Sequence, residues 1–216
     1  MKTETIDIKL ARRIVLNSQL LDGKWKAKGK AGVARTIGHL GYVQVDTISV
    51  INRAHHHVLW TRCPGYRESM LDQLQAKERR VFEYWAHAAA YLPMDDYRFY
   101  LAKMKKFRDN PPWVGELLKQ HKHLYKPILD RFKKEGALGA KDFKAPKDNN
   151  QNGWWEWKPA KWVLEHLFWG GELMVSHRNG FNKVYDLPER VLPGGIDTRE
   201  PGKDEAARFF VRRSLQ

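Results

Sequence analysis

The sequence predicts a mostly α protein with small β-hairpins, and three observations carry that expectation. Apolar residues recur at helical spacing, as in Ile8, Ala11, Ile14, Val15 and Leu21, or Ala160, Val163, Leu164, Leu167 and Phe168. Residues 42 to 48, Tyr-Val-Gln-Val-Asp-Thr-Ile, alternate as a strand does. Asn179-Gly180, the strongest short-range hairpin signal, lies between two runs that read as strands. With 216 residues, 42% hydrophobic and 12% aromatic, the chain is globular and can bury a sizeable core, as one large domain or two smaller ones.

In chain order, a first helix over about residues 7 to 22 ends before Gly23. The basic loop Lys24-Trp-Lys-Ala-Lys-Gly-Lys30 suits phosphate contact and equally suits a solvated charge run. A second helix places Val33, Ile37 and Leu40 on one face and stops at Gly41, a good C-cap residue. Helix, loop, helix and then the 42 to 48 strand resemble the front of a winged helix, a helix-turn-helix elaborated by a hairpin. Residues 67 to 107 read as more helix, with Met70, Leu71 and Leu74, then Val81-Phe-Glu-Tyr-Trp85, then a helix from about Met94 carrying Tyr97, Leu101 and Met104. Pro93 and Pro111-Pro112 punctuate the ends.

A second unit is expected from Trp113, with Leu117, Leu118 and Leu124 leading into a helix bearing Ile128, Leu129 and Phe132, then a turn over 138 to 143. The polar stretch 144 to 153 is a loop inside this unit. Pro159 suits the first residue of a helix that ends at Gly170-Gly171, the candidate recognition helix. Strands over 172 to 176 and 181 to 187, joined through Arg178-Asn179-Gly180, form a wing whose tip region holds His177, Arg178 and Lys183. The expected organisation is a first winged-helix unit over 1–112, a second over 113–200, and the start of a further helix over 201–216.

Thirty-nine Lys and Arg against 25 Asp and Glu give a net charge of +14, which favours a polyanionic partner, with nucleic acid leading. Anionic lipid or simple solubility are the competing uses of such a surface. No stretch approaches the roughly 18 to 20 apolar residues of a membrane span, and the N-terminus MKTETIDIKL lacks a signal-peptide apolar region. The lone Cys63 excludes an internal disulfide, fits a reducing cytoplasmic compartment and reads as a small hydrophobe. No Cys/His zinc pattern is present, so neither metal nor cofactor is expected.

Gln44 and Asp46 carry the sharpest chemical expectation. Two apart on a strand, they share a face at roughly 7 Å, where an amide and a carboxylate can hold and activate one water. On spacing alone they read equally as solvent-facing residues or turn caps. His55, His56 and His57 invite a metal, but on extended chain only His55 and His57 face the same way; hydrogen bonding to DNA phosphate or to the Asp46 carboxylate, and a structural role, compete. Trp154, Trp155, Trp157 and Trp162 either stack on bases or pack beneath the helix. Lys158 and Lys161, near the start of that helix, approach phosphate with help from its N-terminal donors.

Several segments together resemble the AlkZ-like (YcaQ-like) bacterial winged-helix DNA glycosylases. They are Leu40-Gly-Tyr-Val-Gln-Val-Asp-Thr-Ile-Ser-Val, Asn52-Arg-Ala-His-His, Glu83-Tyr-Trp-Ala-His-Ala-Ala, Gly153-Trp-Trp-Glu-Trp-Lys-Pro-Ala-Lys, Phe168-Trp-Gly-Gly-Glu-Leu-Met-Val and Val184-Tyr-Asp-Leu-Pro-Glu-Arg-Val-Leu-Pro, in family order. The family signature, Gln, an apolar residue, then Gln or Asp, stands here as Gln44-Val45-Asp46. The resemblance implies tandem winged helices that close around duplex DNA, and excision of N7-alkylated guanine, including unhooking of interstrand crosslinks. It implies Gln44 and Asp46 as catalytic residues, with Arg53, His55, His56, Lys158, Lys161, Arg178 and Lys183 expected at the DNA. Family members continue into a third winged helix and a small β domain, so a fragment or shortened member is expected, acting as a monomer. The competing class is a non-catalytic winged-helix regulator, which would prefer one operator over random DNA, whereas a repair enzyme shows salt-sensitive general binding and a preference for damage.

Overall fold

The computed structural model describes residues 5–111, 121–143 and 157–215. Helix α1 (Ile8–Ser18) is capped by the Asp7 carboxylate, which accepts from the backbone N–H of Lys9 and Leu10, and it buries none of its residues. It is shorter than the expected 7 to 22 because the chain reverses at Leu20, which takes a left-handed φ of 57°. Helix α2 (Gly29–Leu40) buries Val33 and Ile37 and ends at Gly41 with φ 77°, as its pattern predicts. Strand β1 is only Val43–Gln44. The alternation nonetheless runs on: Val43 and Val45 are buried while Gln44 is exposed and Asp46 half-buried.

Helices α3 (Ala54–Trp60) and α4 (Glu68–Ala76) follow. Next come β2 (Val81–Trp85) and β3 (Ala89–Pro93), an antiparallel hairpin where the sequence reads as helix. Both faces of this hairpin are buried, so its apolar run lacks the period of two that marks a strand with one wet face. Its Val, Phe, Tyr and Trp content suits a pleated surface. A 3₁₀ helix (Met94–Tyr100) runs into α5 (Leu101–Asp109), in place of the single helix expected there.

Helix α6 (Tyr125–Glu135), the two-residue strand β4 (Leu138–Gly139) and a 3₁₀ turn (Ala140–Phe143) lead to α7 (Trp157–Trp169). Strands β5 (Met174–Asn179) and β6 (Asn182–Asp186) then form the expected hairpin. Its turn is one residue later than the Asn-Gly signal implies. Asn179 pairs with Asn182, leaving Gly180-Phe181 as the connection, with Gly180 at φ 59° in the first central position, the type II′ pattern. The chain closes with α8 (Pro188–Val191) and α9 (Lys203–Leu215).

The three-stranded sheets have the same plan: β1-β3-β2 and β4-β6-β5, each a two-residue strand paired with the second strand of a later hairpin. Two hydrophobic cores accompany them. One joins Ala27, Val33, Ile37, Val43, Leu59, Leu71 and Leu74 to Val81 and Tyr91. The other joins Ile128, Phe132, Val163, Leu167 and Val175 to Phe82, Tyr84, Leu92, Tyr97 and Met104. The β2–β3 hairpin therefore lies between the cores and feeds both. The core of the unit expected from Trp113 also recruits the segment 94 to 104, ahead of that boundary. Helix α9 returns across both units: Arg213 binds the Gly38 carbonyl of α2 and the Asp96 carboxylate of the 3₁₀ helix, and Phe209 stacks at 3.7 Å on Phe99, which packs against the second core. No helix among the described residues is long and apolar enough to cross a membrane.

Candidate functional site

Gln44 and Asp46 stand at the end of β1, held from behind. The backbone of Val45 donates to the Ala89 carbonyl, extending the pairing of β1 with β3 by one residue past the strand. The following residue turns away, with the Asp46 carboxylate accepting from the Ile48 N–H at 3.0 Å in an Asx turn. From the other side, the Asp46 backbone N–H donates to Nδ1 of His55 at 3.2 Å. An amide and a carboxylate thus lie on the wet side of a strand whose alternate residues, Val43 and Val45, anchor it in the core.

The histidines occupy α3 and not extended chain, which changes which of them face inward. His55 and His56 are buried and His57 is exposed. Burial, with the neighbouring His56, Arg178 and Arg53, pushes the His55 pKa down to about 3 against a smaller opposing effect of Asp46. The imidazole is therefore neutral near pH 7. Because Nδ1 accepts from Asp46, its proton sits on Nε2. His56 is lowered chiefly by burial, opposed by Glu68; its Nδ1 lies 2.9 Å from the Tyr66 hydroxyl and its Nε2 3.5 Å from Glu68. The partner of His55 is thus the Asp46 main chain and not its carboxylate. Among the described residues no group of three or more His, Cys, Asp or Glu is placed to hold a metal ion.

The basic residues of the β5–β6 hairpin, expected at the tip of a wing, are placed differently. Arg178 is not offered at the hairpin tip: its side chain is 8% exposed and its guanidinium grips the Glu83 carboxylate through two 2.7 Å bonds. Gln75 donates to the same carboxylate at 2.9 Å. The physical reason is Glu83 itself, a carboxylate in a strand buried on both faces, which must be paired there. Lys183 sits between the two Glu165 oxygens at 3.0 and 2.9 Å. The side chain of Phe181, at the turn, lies under two guanidinium groups, Arg53 at 4.1 Å and Arg178 at 4.5 Å from the ring centroid. Arg53 Nε is buried with no hydrogen-bond partner among the described residues.

Val45 and Thr47, the residues on either side of Asp46, line one wall of a cleft of about 570 Å³. Lys141, Lys161, Arg178 and Lys183 stand among the residues of the opposite wall, contributed by the second sheet and α7. The cleft brings Lys161, Arg178 and Lys183 together against Val45 and Thr47, and Arg53 joins them through Phe181; the Gln44 and Asp46 side chains, which alternate with Val45 and Thr47, are not among the lining residues. The Lys158 side chain, with Trp154 and Trp155, lies outside the described residues; Trp162 is partly exposed on α7. Cys63 is buried and within 3.1 Å of the Thr36 hydroxyl, as a small core residue. Sequence reasoning missed Glu83 and Phe181. A lone carboxylate inside Val-Phe-Glu-Tyr-Trp was the available signal for the first; the second carried none.

The family model described as DNA glycosylase AlkZ-like matches residues 37–216. The chain belongs to the AlkZ-like DNA glycosylase family. The match takes in Gln44, Asp46, α3, both hairpins and α9, and it leaves out α1. Among solved structures the chain is similar to the Streptomyces sahachiroi DNA glycosylase AlkZ, with a TM-score of 0.58 and 19% identity over 92% of this chain. The chain spans about half of that glycosylase, 53% of its length. At this identity the likeness speaks to the fold: mostly helical, with small antiparallel sheets.

Proposed function

We propose that the chain is a monofunctional DNA glycosylase that excises N7-alkylated guanine and unhooks interstrand crosslinks, leaving an abasic site. The observation that carries this reading is the placing of Gln44 and Asp46 on the wet side of the strand, with the Asp46 main chain held by a neutral His55. Family membership supports the reaction class. The repeated sheet order, each sheet preceded by helices, supports two winged helices in tandem.

The chemistry follows from the substrate. Alkylation at N7 makes guanine cationic and already a good leaving group, so little acid catalysis is needed. The demanding event is charge development on the sugar as the C1′–N9 bond breaks. The Asp46 carboxylate beside C1′ stabilises the oxocarbenium-like transition state more than the ground state, and accepts a proton from the attacking water. Gln44 orients that water, since an amide both donates and accepts. No lysine or amine is assigned to Schiff-base formation. A crosslinked guanine cannot swing fully out of the duplex, so the site acts on an accessible, partly stacked nucleotide.

Lys161 and the lysines of the loop 24 to 28 are the cations we assign first to the DNA backbone, with exposed His57 as a hydrogen-bonding group there. Arg178 and Lys183 act from the cleft wall, where they shape its field while bound to Glu83 and Glu165, and Arg53 lies beside them against the Phe181 ring. The protein works as a monomer in the cytoplasm. The deciding experiment is release of free base from a duplex with one N7-methylguanine, by this chain and by Asp46→Asn, with abasic sites read by alkaline cleavage. Release should be lost in Asp46→Asn with DNA affinity retained; equal release by both would sink the assignment.

A further inference from the structure

The loop after Asp46 presents aliphatic side chains to water. Val50 and Ile51 are each 91% exposed and Ile48 is 70% exposed, far beyond the exposure of the other aliphatics near the site. Burial removes apolar area from water and is the default for such side chains, so three together on one loop are informative. The loop is not loose at its base. The Asp46 carboxylate accepts from Ile48 N–H, Ser49 bridges Arg53, the Asn52 amide oxygen accepts from Arg53 N–H at 2.7 Å, and the Asn52 amide nitrogen donates to Glu68. Both feet are therefore fixed, one on Asp46 and one on α3, and Val50 and Ile51 are carried at the crown.

We propose that Val50 and Ile51 form an apolar wedge that enters the minor groove of duplex DNA beside the target nucleotide and opens the base step on which Asp46 acts. This rests on the glycosylase reading above. Guanine N7 faces the major groove, where an adduct or crosslink lies. A carboxylate that must reach C1′ of such a nucleotide approaches from the opposite, minor-groove side. The loop is continuous with that carboxylate and reaches the same groove. Aliphatic side chains inserted between base steps unstack them and kink the duplex. The flanking charge fits a duplex: Arg53 closes the loop, and the chain as a whole carries +14.

The wedge is tested with a duplex carrying 2-aminopurine beside the target position, whose fluorescence rises when the step unstacks, and with Val50→Ser/Ile51→Ser. Because both side chains are exposed, the variant should keep its melting temperature. This chain should raise the fluorescence on binding and the variant should not. With N7-methylguanine in the duplex, the variant's single-turnover release should fall about 10- to 100-fold, and with the lesion in an already unstacked mismatched bubble less than about threefold. No fluorescence rise with this chain, or an unchanged duplex rate, would overturn the wedge. So would a DNA-free dimer in sedimentation that the variant abolishes while the fluorescence rise persists, which would make the loop a contact between copies. Failure of the glycosylase reading is separately visible: this chain would release no base from either substrate, and the fluorescence would still decide whether the loop unstacks DNA.

Discussion

A histidine buried as a neutral ring binds a proton more weakly in the folded protein than in the unfolded chain, and His55 is such a residue, its pKa lowered from 6.5 to about 3. The unfolded chain takes up the proton first as pH falls. Stability from His55 is then fully present above about 6.5 and lost as pH falls from there toward 3. The urea midpoint should drop between pH 7.5 and 4.5 more steeply in this chain than in His55→Leu, and the His55 ring resonances should not titrate between pH 5 and 8. His55→Leu also leaves the Asp46 N–H without its acceptor, at about 1–3 kcal/mol. Base release should fall in that variant with DNA binding kept. Gln44 and Asp46 were legible in the sequence because alternation survives even where the strand itself stops. The histidines were not, because α3 begins after Arg53 with no side-chain cap, so nothing in the chain announces a helix there.

At the scale of the element, α2 offers a matched pair of glycines. A Cβ on Gly32 would meet the Ala27 carbonyl carbon at 2.7 Å, a backbone contact that no rotamer change relieves. A Cβ on Gly38 meets nothing within 4 Å. Gly32→Ala should therefore destabilise by about 1–3 kcal/mol through overpacking, and Gly38→Ala should stabilise by about 0.5–1 kcal/mol through helix propensity. Denaturant titration of the two variants separates them by sign. Helices with one wet face, such as α2, α6 and α7, were readable from their period. The β2–β3 hairpin was not: covered on both faces, it loses the alternation that would distinguish it from a buried helix. The β5–β6 hairpin was readable from Asn-Gly, though the turn settled on Gly180-Phe181, where glycine supplies the positive φ.

Across the whole molecule, the strongest tie between the two sheets is the buried Arg178–Glu83 pair, helped by Arg79 donating to the Ser176 carbonyl at 2.8 Å and by the Tyr84 hydroxyl donating to the Trp169 carbonyl at 2.6 Å. Glu83→Leu leaves a guanidinium buried without its carboxylate and should cost about 3–5 kcal/mol. Glu83→Leu/Arg178→Met should recover most of that loss, since an apolar pair of similar volume replaces both charges; thermal and urea unfolding of the set measures it. Charge composition indicated a polyanionic partner, but which cations remain open to one could not be read from sequence, because pairing such as Arg178 with Glu83 joins residues far apart in the chain.

The β2–β3 hairpin, with Val81 and Tyr91 in one core and Phe82, Tyr84 and Leu92 in the other, makes the two cores thermodynamically dependent. Neither can melt without stripping one face of a sheet that the other core needs. Equilibrium unfolding of this chain should then be a single cooperative transition, and a cut between the sequence-expected units would yield two aggregation-prone pieces instead of two modules.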